Sequence, residues 1–295
     1  MRIFLTGATG FIGSAVIPEL IGAGHTVLGL TRSDEGAEQL KAAGAEVHRG
    51  TLEDLEGMKS GAADSDGVIH CAFDHDFSNF VANTEKDRRV IEAMGSVLAG
   101  SDRPLVITSG TGLGSKGHGQ LATEDYFDEH HMNPRKASEE AGNALLAKGV
   151  NVSVVRLPQV HDTEKQGLIT PYIQNARAKG VVAYVGDGLN RFPAVHRFAA
   201  AKVYQLAFDK HEAGSHYHAV AEEGVPVRAM AEVIGRGLKL PVVSLSAEEA
   251  QAHFGWLGPF MGYDMPASSK LTQERLGWKP TGPGLIEDLE AMKYA

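Results

Sequence analysis

Three glycines carry the first chemical signal in this chain. Gly7, Gly10 and Gly13 stand at three-residue intervals in Thr6-Gly7-Ala8-Thr9-Gly10-Phe11-Ile12-Gly13, between an apolar run and a stretch of helical periodicity. Glycines so placed permit a tight turn and close approach of the backbone to a ligand. The helix behind them offers unpaired N–H groups and the positive end of its dipole, which together suit a pyrophosphate. The spacing differs from the commoner Gly-x-Gly-x-x-Gly. About 20 residues beyond such a turn an acidic residue would accept from a ribose 2′-hydroxyl. Here that place reads Leu30-Thr31-Arg32-Ser33, and a guanidinium beside a hydroxyl suits a 2′-phosphate instead. Asp34 is the alternative ribose ligand if Arg32 is only a solvated surface side chain.

Histidine is the side chain with the right intrinsic pKa to exchange protons at neutral pH. His130 and His131 stand in Asp125-Tyr126-Phe127-Asp128-Glu129-His130-His131, which also reads as a plain solvated loop. His75, His161 and His196 fall after strand ends or in the C-terminal part. Asp74, His75, Asp76 and His161 are metal ligands by type, but no compact spacing groups them and no metal is expected. The single cysteine, Cys71, excludes an internal disulfide and reads as a buried small hydrophobe.

With 28 Lys+Arg against 37 Asp+Glu in 295 residues the net charge is −9, and no basic run could track a phosphate backbone. Nucleic acid is therefore not an expected partner. No apolar run approaches the roughly 18 residues that a membrane span needs, and the sequence enters a strand without a signal-peptide pattern. A cytoplasmic protein with no membrane partner is expected.

The elements that must position these residues are legible in the rhythm of apolar runs. Phe11, Ile12, Ala15, Val16, Leu20 and Ile21 recur at helical spacing behind the glycines. Pro18 lies inside that helix, where it costs about 3 kcal/mol unless the helix bends or starts late. Strands follow at 25–30, 46–49, 67–72, 104–108 and 151–156, with helices at 35–43, 53–61, 77–98 and 134–148. Six βα units with near-continuous apolar strands predict an α/β fold with a doubly wound parallel sheet. Past Pro158 the rhythm changes to a helix at 166–179, a strand at 181–185, a helix at 199–210, a strand at 215–220 and a helix at 227–238. No clean linker appears. Residues 1–158 are expected to form the nucleotide-binding domain and 159–295 a smaller, interleaved annex that binds substrate.

Read in order, the glycine stretch, Val68-Ile69-His70-Cys71-Ala72, Val154-Val155-Arg156-Leu157-Pro158, Gly186-Asp187-Gly188, Ala194-Val195-His196 and Leu276-Gly277-Trp278-Lys279-Pro280 form a set spanning nearly the whole chain. This set resembles the extended short-chain dehydrogenase/reductase family, in its epimerase/dehydratase branch. The resemblance implies a Rossmann-like sheet, a C-terminal α/β annex for substrate and hydride transfer at a nicotinamide. Joined to Arg32 and Ser33 it makes NADP(H) the expected cofactor, with NAD the lesser alternative. It places Gly7, Thr9, Gly10, Phe11, Ile12, Gly13 and Pro158 on the cofactor, Thr51 and Leu52 beside adenine, and Ala72 and Phe73 near the ribose. Thr51 departs from the family's aspartate.

In that family a tyrosine exchanges the proton, a lysine four residues later lowers its pKa and holds the nicotinamide ribose, and a serine or threonine after the fifth strand orients the substrate oxygen. The lysine falls at Lys136, in Met132-Asn133-Pro134-Arg135-Lys136, which puts Met132 in the tyrosine's place. A thioether carries no proton, and Pro134 disfavours helix at Asn133. In this reading His131, His130 or Tyr126 replaces the tyrosine. Thr111 holds the substrate oxygen ahead of Ser109, whose side chain is expected to point into the sheet. The expected function is an NADP(H)-dependent oxidoreductase acting on a small carbonyl or alcohol substrate. The alternatives are a catalytically inactive NADP(H)-binding redox sensor or scaffold, and a non-redox epimerase or isomerase. A homodimer is expected by family analogy.

Overall fold

The computed structural model describes residues 1–76 and 79–294. Strand β1 (Arg2–Thr6) buries Ile3, Phe4 and Leu5 completely. After the glycine turn comes α1 (Gly13–Gly22), which runs through Pro18 at its sixth residue without ending there. Helix and strand then alternate through β2 (Thr26–Thr31), α2 (Asp34–Ala42), β3 (Glu46–Arg49), α3 (Leu55–Ala63), β4 (Gly67–His70), α4 (Phe80–Leu98), β5 (Leu105–Gly110), α5 (Lys136–Leu146) and β6 (Val152–Leu157). Of the helix expected over 77–98, the part from Phe80 is observed, while Phe77 and Ser78 lie outside the described residues.

The main sheet has seven strands, all paired in parallel. In chain order after β6 come β7 (Gln159–His161), α6 (Ile169–Lys179), β8 (Val182–Val185), β9 (Arg191–His196), α7 (Arg197–Lys210) and β10 (His216–His218). The spatial order is β10-β6-β5-β4-β1-β2-β3. Side chains alternate between the faces, so Ile3 and Leu5 pack with Val16, Tyr204 and Phe208 of α1 and α7, while Phe4 packs with Met94 and Leu145 of α4 and α5. Burial on both faces is why the strands read as unbroken apolar runs, each such side chain contributing about 1.5–3 kcal/mol. The order reverses between β1 and β4, which opens a crevice at their C-terminal ends.

Sequence rhythm alone predicted six strands. The seventh, β10, comes from the annex and pairs Tyr217 with Val155 and His218 with Arg156 on the outer side of β6. The chain beyond 158 therefore completes the main sheet as well as building its own layers. Those layers contain β11 (Glu222–Pro226), α8 (Val227–Leu238), β12 (Val242–Leu245), α9 (Ala247–Phe254), α10 (Gly258–Met261), α11 (Lys270–Leu276) and α12 (Leu285–Ala291). Strands β11, β9 and β7 form a three-stranded sheet and β12 pairs with β8. A separate apolar core holds this region, with Tyr172, Phe192, Met230 and Ile234 almost fully buried.

Candidate active site

Close packing dictates the glycine turn. Gly7 has φ of 66° and an added Cβ would lie 2.7 Å from the Ala72 nitrogen, while a Cβ on Gly13 would lie 2.1 Å from the Gly7 carbonyl oxygen. No side chain larger than hydrogen fits at either place. The turn is closed by the Gly10 N–H donating to the Gly7 carbonyl at 2.9 Å. Helix α1 begins without a side-chain cap, and among the described residues no carbonyl takes the N–H of Phe11 or Ile12. By contrast α2 and α3 are capped by Ser33 and Asp54. The uncapped N–H groups, with the dipole behind them, make an anion cradle.

This cradle forms the middle of a cleft of about 1070 Å³ along the C-terminal ends of the strands. Gly7, Thr9, Gly10, Phe11, Ile12, Gly13, Arg32, Ser33, Thr51, Leu52, Ala72, Phe73 and Pro158 all line it. At the β2 end, Arg32 is exposed and makes no hydrogen bond or ion pair among the described residues. Asp34 is directed to solvent and paired with Arg49. Ser33 Oγ accepts the Gly36 N–H at 3.1 Å as the cap of α2. Lys86 joins Glu53 at 2.8 Å and Asp74 at 3.0 Å, and these contacts hold both carboxyls below the ordinary range.

At the β4–β5 end a chain of buried side chains leads into the cleft. Thr6 Oγ1 lies 2.6 Å from His70 Nδ1, and His70 Nε2 lies 3.0 Å from Asp87 Oδ1. The other oxygen of Asp87 accepts from Arg135 Nη1 at 2.7 Å and from the Ser138 hydroxyl at 2.6 Å. Burial works to raise the Asp87 pKa, but the Arg135 charge and the His70 contact outweigh it and hold the carboxyl well below its usual range. Arg135 also donates through Nη2 to the Thr108 carbonyl at 3.0 Å and stacks 3.8 Å over the Phe73 ring. Beside it Ser109 lines the cleft, and its buried Oγ has no hydrogen-bond partner among the described residues. His75 lines the cleft too; burial and the Arg135 charge push its pKa below 6.5. Lys165 and Trp256 of the annex close the opposite wall.

The remaining sequence-selected residues lie off this lining. Lys136 is turned to the Glu129 carbonyl and, at 3.5 Å, to Glu140. Thr111 is buried in a short 3₁₀ turn, Thr111–Gly114. His131 accepts the Asn133 N–H on Nδ1 at 3.0 Å, burial lowering its pKa, and His130 is exposed. Met132 is 94% exposed and precedes α5, which begins only at Lys136. A four-residue spacing measured back from Lys136 therefore does not correspond to one helical turn. Arg135, the residue that does reach the cleft, was not among the sequence candidates, and its signal would have been the helix boundary imposed by Pro134.

The segment carrying Tyr126 is tied down from below. Arg156, fully buried, makes a two-point ion pair with Glu139 at 2.9 and 2.7 Å and donates to the carbonyls of Thr123 and Tyr126. His218 lies 3.3 Å from the same guanidinium. In the annex, His161 pairs with Asp288 at 2.6 Å rather than joining Asp74 and His75, and Arg191 pairs with Asp264. Among the described residues no three His, Cys, Asp or Glu side chains gather as a metal site, and no helix is long and apolar enough to cross a membrane.

Known proteins share this architecture. The chain is 49% identical over 295 residues to an uncharacterized protein of Schizosaccharomyces pombe, with both chains covered completely. It is 27% identical over 244 residues to the sterol-4-alpha-carboxylate 3-dehydrogenase, decarboxylating, of Dictyostelium discoideum, covering 77% of this chain and 73% of that one. Its fold superposes on a dTDP-glucose 4,6-dehydratase from Streptomyces venezuelae solved with NAD bound, with a TM-score of 0.77 and 17% identity over 99% of this chain and 96% of that one. Residues 3–221 match the pattern of the NAD dependent epimerase/dehydratase family, and with a glycine cradle, a doubly wound sheet and a cleft at its switch point, the chain belongs to that family of extended, NAD(P)-dependent short-chain dehydrogenase/reductase enzymes.

Proposed function

We propose that this protein is an NADP(H)-dependent oxidoreductase that interconverts a small carbonyl compound and its alcohol. The observation that carries the cofactor choice is the unengaged Arg32 guanidinium on the cleft lining, with Asp34 drawn away by Arg49. A 2′-phosphate supplies the anion that Arg32 lacks. The glycine turn suits the pyrophosphate, since the N–H groups of Phe11 and Ile12 at the head of α1 are taken by no carbonyl among the described residues.

Bound NADPH would supply a hydride to the carbonyl carbon. The chain's own residues must then meet the charge that develops on oxygen and deliver one proton to it. Ser109 is assigned the first task, because it lines the cleft where β5 ends and its buried Oγ lacks a hydrogen-bond partner among the described residues. His75 is assigned the second, as an imidazole on the same lining. His131 remains the comparison, since it lies in the segment selected from sequence but off the lining.

The test is titration with NADPH and NADH, followed by NADPH oxidation with a panel of aldehydes, ketones and quinones. Turnover should be lost in Ser109→Ala and fall more in His75→Gln than in His131→Gln. Equal or tighter binding of NADH sinks the cofactor choice. Tight NADPH binding with no turnover on any substrate sinks the oxidoreductase and leaves a nucleotide-binding protein.

A further inference from the structure

We infer that Arg135 holds the nicotinamide-side ribose of the dinucleotide, and that a buried side-chain chain running from the glycine turn sets its position. The inference deepens the NADP(H) reading and rests on it. A guanidinium has five N–H donors. Three are used here, two from Nη1 to Asp87 and Ser138 and one from Nη2 to the Thr108 carbonyl. Two donors remain on a side chain that lines the cleft and stacks on Phe73, another lining residue. Vicinal ribose hydroxyls offer two adjacent acceptor oxygens, a match for paired donors on a rigid plane.

Position along the sheet agrees with chemistry. Arg32 follows β2 and Arg135 is bonded at the end of β5, with β1 and β4 between them in the sheet. Three inter-strand spacings amount to about 14 Å, and the anion cradle at the end of β1 lies inside that interval. A ligand with a phosphate at Arg32 and a pyrophosphate at the cradle thus presents its second ribose at β4 and β5. Arg135 is the cation fixed there.

It is also a cation that cannot drift. Asp87 holds it, His70 holds Asp87, and Thr6 holds His70 while accepting the Ala72 N–H at 3.2 Å. Thr6 is the residue immediately before Gly7, and Ala72 is the residue against which Gly7 packs. The cradle for the pyrophosphate and the donors for the ribose are therefore parts of one hydrogen-bonded unit, with their separation set before any ligand arrives. Donors ordered in advance cost little to engage.

The experiment is calorimetric titration of wild type, Arg135→Gln and Lys136→Ala with two probes, NADPH and adenosine 2′,5′-bisphosphate, the second of which lacks the nicotinamide half. Arg135→Gln should weaken NADPH by about tenfold or more, the loss expected for charge-assisted hydrogen bonds, and leave the bisphosphate within about twofold. If the unpaired Asp87 prevents folding, Arg135→Gln combined with Asp87→Asn removes the buried charge and carries the same test. Equal weakening of both probes overturns the inference, because it marks a general structural role. So does unchanged NADPH binding, including the case where only a substrate KM rises, or a larger loss in Lys136→Ala. Wild type that binds neither probe refutes the NADP(H) reading together with this one, whereas wild type that binds both, with Arg135→Gln unaffected, refutes this inference alone.

Discussion

Replacing Arg32 by alanine should erase the preference for NADPH over NADH and leave the fold intact. The guanidinium is exposed and makes no bond or ion pair among the described residues, so its removal should change stability by no more than about 0.5 kcal/mol. In the complex it would give a 2′-phosphate charge-assisted hydrogen bonds, worth about 1.5–3 kcal/mol. That corresponds to a loss of roughly 10- to 150-fold in NADPH affinity, with the lower end expected for an exposed site. NADH binding should stay within about twofold, because no acidic side chain is uncovered and Asp34 remains paired with Arg49. Arg32 is a cleaner choice than Ser33, whose loss would also remove the cap of α2 and cost about 1 kcal/mol. The assay is enhancement of reduced-cofactor fluorescence at low and high salt. The wild-type NADPH:NADH ratio should shrink as salt screens the contact, with a Debye length of about 3 Å at 1 M, and the variant's should not. A variant that loses NADPH and NADH equally, or a wild-type ratio indifferent to salt, would refute the reasoning.

Three further perturbations probe the rest of the site. Gly13→Ala places a Cβ 2.1 Å from the Gly7 carbonyl, so the variant should lose binding of both nicotinamide cofactors in the same titration. Asp87→Ala strands the Arg135 charge, whose side chain is mostly buried; a cost of about 3–5 kcal/mol, at roughly 2–4 °C per kcal/mol, should appear as a fall of roughly 6–20 °C in Tm by calorimetry. Acid should destabilise the protein in two overlapping windows. Burial and the Arg156 charge push His218 down to about 3, so the unfolded chain binds its proton first and stability falls as pH drops from 6.5 towards 3, a slope that His218→Gln should reduce in urea titrations. Glu139 is held at about 2, its burial outweighed by His216 and Arg156; the stability it contributes is full above 4.5 and is lost as pH falls towards 2.

The glycine turn at the head of the cleft was legible because it is local. A strand, three spaced glycines and an uncapped helix are contiguous, and their geometry follows from which residues lack a Cβ. Arg32 was selected by counting to the end of the next strand and Thr51 through the family resemblance, and both line the cleft. The Arg135 end of the cleft depends on contacts between distant segments. Asp87 on α4 selects Arg135, 48 residues away, and nothing in either segment announces the pair. That Arg135 and not Lys136 lines the cleft goes with a helix that begins only at Lys136, where Pro134 delays the start enough to undo helical spacing upstream. Strand β5 extends to Gly110, beyond the boundary read from apolar residues, because Ser109 and Gly110 stay paired with β6 through the backbone. Strand β10 escaped as an element of the main sheet because three residues carry no topological information.

The late arrival of β10 bears on how the chain folds as it is made. Its three residues supply the parallel neighbour of β6, yet they leave the ribosome some 60 residues after that strand. During synthesis β6 presents a row of unpaired N–H and C=O groups along an apolar edge, the kind of edge that recruits other chains. A fragment ending at Pro158 would carry that exposure permanently, and it would also leave the Arg156–Glu139 pair without His218 beside it. Such a fragment should aggregate, and one extended through Ala219 should do so less. The half that carries the glycine turn thus depends on the C-terminal part for solubility during folding, a dependence that favours slow or chaperone-assisted release of the nascent chain.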